Sequence, residues 1–515
     1  IGARGGDIVG DKKPRAGRFP VSAPGKSLLQ AAVVRGVKLA GAENVFIVSN
    51  EEYRFLLRDH LKEGGMDFPL ENILAEPVGK NTLAAIALGV RALEARDEKK
   101  EVAATQGEGI ASAKKGRPKA AVTAEGISLN GGREVLAQGA AGADNDDASI
   151  FVFPADHLIK DEAKFIAALK KAEAAAGEEY ITALGIKPYR AETGYGYIKA
   201  GGKLRCNKSR KSTPGTKVET MVEKFVEKPS EAKAEKFLKS GNYFWNAGIF
   251  VASASVFRAE FEKNSPALWR SFQKWDGKDF KKLGGFYKKL PSVSFDCAVM
   301  EKTKKAAVVV YDGRWNDLGG WDSVYEVTKK DKNGNALGGD VISLDSENNL
   351  VYSTTGKAVS LIGVKDLRIA QTDDALLIMA EGRSQEVKRV VEKLKGREEL
   401  VNHIRVRRPW GSFKTLERAD NYKIKVIEML PGRSLSLQKH RRRSEEWLVL
   451  TGNVEVELNG KIHKLKENGR IKIPKGASHR LTNNCRKTAK ILEIAHGSYI
   501  EEDDIIRLED DFGRV

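Results

Sequence analysis

The pattern of apolar residues changes character about two thirds of the way along the chain, and this change constrains the fold most. Residues 27–50 predict a helix that begins after Ser27 and then a short apolar strand, and a second helix follows from Thr82. The run 148–157 is again a strand of the buried type. Strands alternating with helices are typical of α/β domains built on a mostly parallel sheet, so we predict such a domain over residues 1–330.

Residues 97–147 interrupt this alternation. They are rich in Ala, Gly, Lys and Glu and contain no aromatic residue. Such a segment buries too little apolar surface to offset the entropy cost of ordering it. We therefore predict a low-complexity insertion that is disordered or loosely ordered.

Closely spaced short strands make up the rest of the chain. Residues 331–403 combine strands and Gly or Asn turns with an amphipathic stretch at 384–404, which predicts a small β linker unit and a connector helix. From 404 to 515 the apolar runs are strand-like, and Asn459 with Gly460 is a hairpin signal. Closely spaced antiparallel strands predict an all-β jelly-roll barrel.

The chain is basic, with 88 Lys and Arg against 70 Asp and Glu and a formal net charge of +18. This balance fits phosphorylated small molecules, nucleic acid or a membrane surface, or it only solubilises the protein. The basic run 203–217 lies where a surface loop is expected, so we predict no nucleic-acid partner. We also predict no membrane partner, because no apolar stretch is long enough to span a bilayer. Three distant cysteines favour a reducing, cytoplasmic setting.

Four residues of the all-β region have spacings typical of a metal-binding barrel. Gln438 and His440 are two apart on a predicted strand and share a face. Glu445 opens the next strand, and His479 comes later. Two imidazoles, a carboxylate and an amide oxygen can hold a divalent ion, with zinc the first expectation. Taken singly, each histidine is more typical of a surface or packing role, and the metal interpretation depends on the set and its spacing.

This region resembles the cupin pattern, which it matches at Gly432, His440, Glu445, Gly452, Pro474, Gly476, His479 and Asn483. The motifs RPWG (408–411), HRLTN (479–483) and GSYIEEDDIIRLEDDFGR (497–514) are similar to the type II mannose-6-phosphate isomerase domain. The resemblance implies that Gln438, His440, Glu445 and His479 hold Zn²⁺ or another divalent metal. It also implies that Arg507 lies in a catalytic cleft that interconverts mannose 6-phosphate and fructose 6-phosphate.

Isomerisation needs a Lewis acid, a proton carrier and a cation. The metal and Arg507 fit the first and third roles, and the carrier stays open between Glu445 and a metal-bound water. Glu446 stands where family members usually have a second histidine, and this departure bears on isomerase turnover.

Two aspartates of the first domain are candidate magnesium ligands. Asp156 follows a buried strand, and Asp317 lies in WNDLGGWD. Ligands of α/β sheets bind at the carboxyl ends of strands, and two carboxylates can hold Mg²⁺ against nucleotide phosphates. Either aspartate alone is equally typical of a turn or a helix cap.

Seven motifs resemble mannose-1-phosphate guanylyltransferase in order and spacing: AEPVGKNTLAAI (75–86), FPADHLI (153–159), TGYGYIK (193–199), FVEKPS (225–230), YFWNAGIF (243–250), SFDCAVMEKT (294–303) and WNDLGGWD (315–322). With the C-terminal region, the chain resembles the bifunctional guanylyltransferase and type II isomerase family. The resemblance implies an α/β nucleotidyltransferase domain with a Rossmann-like mixed sheet, a small β linker and an all-β cupin jelly-roll. It also implies that GTP and mannose 1-phosphate become GDP-mannose and pyrophosphate.

The resemblance assigns roles to individual positions. It implies that Asp156 and Asp317 bind Mg²⁺. The implied nucleotide pocket consists of Glu76, Pro77, Lys80, Asn81 and Thr82, with Lys80 where family members usually have Arg. The implied sugar-phosphate site consists of Gly194, Tyr195, Glu227, Lys228 and Asn246.

The first residues do not reproduce the Gly-rich signature with which this family opens. Phe19 aligns with the end of the signature, but Gly17 stands where Lys is expected. Since the chain begins with Ile, we expect that the true start is lost or mis-assembled. Two alternatives stay open: an isomerase whose transferase lobe is disabled at residues 1–18, and a non-catalytic sugar-nucleotide-binding protein. A homo-oligomeric state also stays open.

Overall fold

A computed structural model describes the chain in six stretches: residues 26–105, 120–124, 147–203, 220–277, 279–397 and 404–510. The described residues form two compact units that divide between Lys329 and Lys330. In these stretches no helix has the length and apolar character needed to cross a membrane.

A nine-stranded mixed sheet forms the centre of the first unit. Its strand order is β2-β1-β3-β4-β9-β6-β10-β8-β7. The strands are β1 Val45–Asn50, β2 Ile73–Glu76, β3 Ala120–Ala124, β4 Ser149–Pro154, β6 Ile181–Ile186, β7 Tyr197–Ala200, β8 Thr220–Val226, β9 Tyr243–Ser253 and β10 Ala306–Tyr311. A separate small ladder pairs β5 Leu158–Ile159 with β11 Trp315–Asn316.

Helices cover both faces of the sheet, because neighbouring residues of β1 enter different cores. Phe46 belongs to one buried cluster and Ile47 to the other, as expected for parallel strands buried on both sides. The helices of this unit are α1 Leu28–Ala40, α2 Arg54–Glu63, α3 Asn81–Thr105, α4 Glu162–Ala176, α5 Glu231–Ser240, α6 Ala254–Asn264, α7 Pro266–Gln273, α8 Phe280–Tyr287 and α9 Trp321–Val327. The predicted α/β alternation is confirmed, but the sheet is mixed rather than mostly parallel, because β7, β8 and β9 pair antiparallel with their neighbours.

The start of α1 follows from its sequence. The Ser27 side chain accepts a hydrogen bond from the Gln30 backbone N–H, and the Gln30 side chain accepts one from the Ser27 backbone. This reciprocal capping satisfies two N–H groups that a helix start leaves unpaired. The predicted N-cap is therefore confirmed.

The prediction that residues 97–147 are disordered was wrong for part of the segment. Helix α3 continues to Thr105, and β3 lies inside the sheet, parallel to β1 on one side and to β4 on the other. The composition of the segment predicted that it buries too little apolar surface to offset the entropy cost of ordering it. Backbone hydrogen bonding to two neighbouring strands supplies stabilisation that composition does not reveal. The rest of the insertion lies outside the described residues.

We predict that Val122→Pro destabilises the first unit, because Val122 pairs with Phe46 on one side and Val152 on the other. Proline has no N–H and is not accommodated in a central strand. We expect the free energy of unfolding to fall by about 1–3 kcal/mol, the cost of leaving one backbone group without its hydrogen bond. Urea unfolding checks this, with Val122→Thr as the control that keeps the N–H. Equal unfolding midpoints for the two variants would mean that β3 contributes nothing to the sheet.

The second unit begins with a β segment of mostly parallel pairs. Its strands are β12 Ala336–Gly338, β13 Val341–Leu344, β14 Leu350–Ser353, β15 Val359–Ile362, β16 Leu367–Gln371 and β17 Leu376–Ala380. Strands β12, β14 and β16 pair in parallel, as do β13 and β15. Val351, Leu361 and Ile369 form its small core. The predicted β unit is present. Its strands pair mostly in parallel, which the spacing of short strands and turns in the sequence does not reveal.

The predicted connector helix over 384–404 is shorter than expected. Helix α10 spans Val387–Lys393, and the chain then turns at Gly396, whose φ is 87°. This left-handed conformation favours glycine and ends helices. Residues 398–403 lie outside the described part.

Two six-element sheets form the remaining region. The strands are β18 Arg405–Arg408, β19 Gly411–Arg418, β20 Tyr422–Met429, β21 Arg433–Ser434, β22 Leu437–His440, β23 Arg443–Thr451, β24 Val454–Leu458, β25 Lys461–Leu465, β26 Arg470–Ile473, β27 His479–Asn483, β28 Ala489–Gly497 and β29 Ile505–Glu509. All their pairings are antiparallel. Asn459 and Gly460 both have positive φ at the β24–β25 turn, so the predicted hairpin is confirmed.

Candidate active sites

The small β5–β11 ladder positions the two candidate magnesium ligands. Leu158 pairs with Asn316 in antiparallel register, and Asp156 and Asp317 lie just beyond this pair at the same end of the ladder. Asp156 also follows the carboxyl end of β4, where α/β sheets bind ligands. The structure thus brings the two aspartates to one edge of the sheet.

The neighbours of the aspartates orient them. The Tyr195 hydroxyl donates to Asp317 Oδ1 at 2.8 Å, and the Gly319 N–H donates to the same oxygen at 2.9 Å. His157 lies 3.9 Å from Asp156 Oδ1 through Nε2. Burial lowers the pKa of His157, while Asp156 and Asp317 both act in the opposite direction. Both carboxylates therefore lie within electrostatic reach of one imidazole.

The donor chemistry of this pair fits magnesium. Asp317 Oδ1 already accepts two hydrogen bonds, which fix the carboxylate, and the Asp156 side chain is 54% exposed. Mg²⁺ is usually held by one or two carboxylates together with substrate phosphates. An exposed carboxylate beside a fixed one matches that requirement.

The predicted sugar-site residues lie in a second cluster. The Asn246 side chain donates to Asp296 Oδ1 at 2.7 Å and accepts from the Gly248 N–H at 3.1 Å. Lys228 forms an ion pair with Glu227. A Cβ added at Gly196 would lie 2.7 Å from the Glu227 carboxylate, so the glycine leaves room for this carboxylate to approach the backbone.

The two clusters are neighbours. The Asn246 N–H donates to the Gly196 carbonyl at 2.8 Å, and Tyr195 precedes that glycine. Gly248, bonded to Asn246, lies close to His157: a Cβ placed there would be 3.9 Å from the imidazole. Gly194 donates its N–H to Glu192.

The predicted nucleotide-pocket residues run from the end of β2 to the start of α3. Glu76 accepts a hydrogen bond from Tyr287 at 2.5 Å, and Asn81 has a φ of 67° at the first position of α3. The Thr82 hydroxyl accepts the Phe295 N–H at 2.9 Å, directly before Asp296. This bond links the nucleotide set to the sugar cluster. Pro77 and Lys80 occupy the connecting loop.

Sequence reasoning assigned no role to Asp296, although it quoted the motif that contains it. The residue begins a π-helical turn, Asp296–Met300, a geometry frequent at functional sites. Burial and the nearby Glu227 raise its pKa to about 6, while Asn246 and Lys228 oppose the shift. The sequence shows only an aspartate within a motif. The hydrogen bond from the Asn246 side chain to Asp296 is visible only in the fold.

We predict that Asp296→Asn stabilises the protein at neutral pH. The pKa of Asp296 is raised from 3.8 to about 6, so its charged form is disfavoured in the folded state. The penalty is absent below about pH 4, grows between about pH 4 and 6, and is full above that range. We expect about 2–3 kcal/mol of extra stability at pH 7.5 that disappears near pH 4. Urea unfolding at both pH values tests this, and a gain that does not change with pH would contradict it.

Three predicted metal ligands meet inside the barrel. His440, Glu445 and His479 are all buried, and their candidate ligand atoms lie within 4.8 Å of one another. His440 Nε2 is 3.0 Å from Glu445 Oε1, and His479 Nε2 is 3.7 Å from Glu445 Oε2. Burial alone would raise the pKa of Glu445, but the two histidines and Arg443 reverse the shift and hold it low.

The ring of His479 is oriented for metal binding. His479 Nδ1 lies 3.0 Å from the Ala477 carbonyl and donates to it, so Nε2 carries a lone pair. Among the residues that the structure describes, that Nε2 is buried without a hydrogen-bond partner. Burial also lowers the pKa of His479, which favours the neutral imidazole that metals require. An orphaned acceptor beside a buried carboxylate fits a divalent cation.

Strand register places the remaining predicted residues nearby. Gln438 on β22 pairs with His479 on β27 and with Arg507 on β29. Directly opposed residues share a face of the sheet. Gln438, Arg507 and His479 therefore lie on one side, with His440 two residues from Gln438.

Two residues that sequence reasoning did not name fix Glu445. Arg443 Nε donates to Glu445 Oε1 at 3.1 Å, and Trp447 Nε1 donates to Oε2 at 3.1 Å. Both lie two positions from Glu445 on β23, so strand alternation could have found them. Such supporting bonds hold a ligating carboxylate in place.

Comparison with protein families divides the chain into three regions. Residues 110–334 match the Nucleotidyl transferase family, 339–394 match the MannoseP isomerase/GMP-like beta-helix domain, and 395–510 match Mannose-6-phosphate isomerase C-terminal. The first match contains Asp156 and Asp317, and the last contains the histidine cluster.

Curated relatives match nearly the full length. The Xanthan biosynthesis protein XanB of Xanthomonas campestris pv. campestris is 38% identical over 497 residues, which cover 95% of this chain and 92% of that protein. A mannose-1-phosphate guanylyltransferase of Klebsiella pneumoniae is 36% identical, with 95% and 93% covered. The Alginate biosynthesis protein AlgA of Pseudomonas aeruginosa is 35% identical, with 95% and 91% covered.

A solved structure agrees with these matches. The crystal structure of mannose-1-phosphate geranyltransferase from Thermus thermophilus is 27% identical, covers 72% of this chain and 90% of that chain, and has a TM-score of 0.52. The predicted nucleotidyltransferase, β linker and cupin architecture is confirmed. The chain belongs to the mannose-1-phosphate guanylyltransferase family whose members join a nucleotidyl transferase domain to a mannose-6-phosphate isomerase C-terminal domain.

Proposed function

We propose that this chain makes GDP-mannose from GTP and mannose 1-phosphate. A phosphate oxygen of mannose 1-phosphate forms a bond to the α-phosphorus of GTP. The bond from that phosphorus to the α–β bridging oxygen breaks, and pyrophosphate leaves with the oxygen and its electron pair. The placement of Asp156 and Asp317 beyond the same end of the β5–β11 ladder, with His157 close to the Asn246 cluster, is the observation that supports this proposal most.

In this proposal the protein mainly positions charge, as phosphoryl-type transfers require. Mg²⁺ held by Asp156 and Asp317 would neutralise the charge of the phosphates. Tyr195 holds Asp317 through its hydroxyl, Lys228 binds the sugar phosphate, and Glu227 accepts bonds from mannose hydroxyls.

Other residues complete the proposed site. Asn246, held by Asp296, orients the sugar. Glu76, Pro77, Lys80, Asn81 and Thr82 line the guanosine triphosphate pocket, where Thr82 is bonded beside the sugar cluster.

A second activity belongs to the same proposal: interconversion of mannose 6-phosphate and fructose 6-phosphate in the barrel. The orphaned His479 Nε2 beside Glu445 favours it. Zn²⁺ or another divalent metal held by Gln438, His440, Glu445 and His479 would act as the Lewis acid. Arg507 on the same face would serve as the cation of that cleft.

Pyrophosphate release by the full chain tests the transferase. GTP, mannose 1-phosphate and Mg²⁺ should yield equal amounts of pyrophosphate and GDP-mannose. Release without mannose 1-phosphate would indicate a different reaction. A folded chain that releases none but isomerises mannose 6-phosphate would favour a disabled transferase lobe, for which residues 1–18 lie outside the described part. The widely spaced cysteines support a reducing, cytoplasmic setting as part of the proposal.

A further inference from the structure

The inner face of the barrel carries a lysine in line with the metal-binding cluster. Lys423 on β20 pairs with Ala495 on β28, and Ala495 pairs with Glu445 on β23. Directly opposed residues of antiparallel strands point to one face, so Lys423 and Glu445 share the inner face. Two strand steps separate their Cα atoms, a distance of about 10 Å.

At one end of these strands the burial pattern is the reverse of an ordinary core, whereas further along the same face Ile427 and Ile491 are buried apolar residues. On β28 the inward Glu493 and Ala495 are 5% and 2% exposed, whereas Ile494 between them is 38% exposed. Lys423 itself is only 7% exposed. Half-buried strands normally turn apolar residues inward. This end of the inner face therefore buries charged side chains instead of apolar ones.

Within the described stretches, Lys423 differs from the other cations of this face because its ammonium group forms no direct ion pair. The paired cations and their carboxylates are Lys425 with Glu493 at 3.1 Å, Arg443 with Glu445 at 3.1 Å, Arg408 with Glu502 at 3.3 Å, and Arg418 with Glu501. For Lys423, no hydrogen bond or ion pair of the ammonium group is found within the described stretches. Burial lowers its pKa, and Lys425 and Arg418 lower it further, while Glu501 and Glu502, which are paired with Arg418 and Arg408, act in the opposite direction.

We infer that Lys423 binds the phosphate group of the sugar phosphate whose reacting carbons lie at the His440, Glu445 and His479 cluster. A buried ammonium without a counter-ion is destabilising, and a phosphate dianion supplies the missing charge. A hexose 6-phosphate carries its phosphate at one end and its reacting carbons at the other, which suits the separation of Lys423 from Glu445. The inference rests on the proposed isomerase function and makes Lys423 the residue that selects phosphorylated over free mannose.

The test compares Lys423→Met with the wild-type full chain by thermal unfolding and by isomerase kinetics. Mannose 6-phosphate should raise the unfolding midpoint of the wild type, and free mannose should not. In Lys423→Met this shift should disappear, while the unliganded midpoint stays equal or rises because a buried charge is gone. The KM for mannose 6-phosphate should increase roughly tenfold to a hundredfold, the loss expected for a hydrogen bond to a charged group, with kcat little changed.

Two further variants separate phosphate binding from general effects. Lys423→Arg keeps the charge and should recover much of the midpoint shift. Lys472→Met removes a charge from an exposed lysine on β26 and should behave like the wild type. Inorganic phosphate should compete with mannose 6-phosphate in the wild type but not in Lys423→Met.

Different results would contradict the phosphate-binding role of Lys423 and the proposed isomerase activity. A wild type that binds mannose 6-phosphate without turning it over would contradict the isomerase and leave the binding comparison decisive. An unchanged KM and an unchanged midpoint shift in Lys423→Met would overturn the inference, as would a wild type that does not bind mannose 6-phosphate.

Discussion

Asp317→Ala is expected to reduce pyrophosphate release by about 10³-fold while the barrel keeps its metal. The carboxylate is one of two that would hold Mg²⁺ against the phosphates, and such charge stabilisation contributes several kcal/mol to the transition state. Steady-state pyrophosphate release with GTP, mannose 1-phosphate and Mg²⁺ measures the loss. Elemental analysis of the same preparation measures the metal of the barrel.

Two control variants separate the loss of the Asp317 charge from a change in the shape of the site and from the loss of any aspartate. Asp317→Ala also removes the acceptor of the Tyr195 hydroxyl, so Asp317→Asn, which keeps an acceptor oxygen but not the charge, should lose activity to a similar extent. Asp312→Ala removes an aspartate that is 77% exposed and paired with Lys164 and should retain full activity. If Asp317→Ala lost the barrel metal as well, the two sites would not be independent.

His479→Ala is expected to have the second largest effect, on the barrel alone. His479 offers an orphaned Nε2 to the metal, and loss of a direct ligand should weaken binding at least as much as the roughly 10–100-fold typical of supporting residues. Metal content by elemental analysis should fall from about one ion per chain to near zero after dialysis. Isomerase activity should fall with it, and pyrophosphate release should persist.

A matched histidine makes this experiment specific. His463 is exposed on β25, so His463→Ala should keep its metal. Unchanged metal stoichiometry in His479→Ala would contradict the ligand assignment.

Local sequence signals were reliable where a few neighbouring residues decide the structure. Ser27 predicted the start of α1 because its hydroxyl caps the backbone three residues away. Asn459 and Gly460 predicted a hairpin because both tolerate positive φ. In the candidate sites, the motif resemblance named Asp156 and Asp317, which the fold places beyond the same end of one ladder, and three residues that meet in one barrel.

The misses concern features that depend on distant parts of the chain. Strand β3 is ordered by pairing with β1 and β4, which composition cannot show. Asp296 becomes important only because the fold brings it to Asn246, fifty residues earlier in the chain. Lys423 resembles any surface lysine in the sequence, and its burial follows from which face of β20 turns inward.

The central claim is that Asp156 and Asp317 hold one divalent ion beside the bound sugar nucleotide. A crystal structure of the full chain with GDP-mannose and Mn²⁺ tests it most directly, because anomalous scattering locates the ion. We predict one anomalous peak bonded to both carboxylates and to a phosphate oxygen, with Lys228 and Asn246 at the sugar phosphate. A peak elsewhere in the first unit, or carboxylates that point away from the nucleotide, would contradict the account.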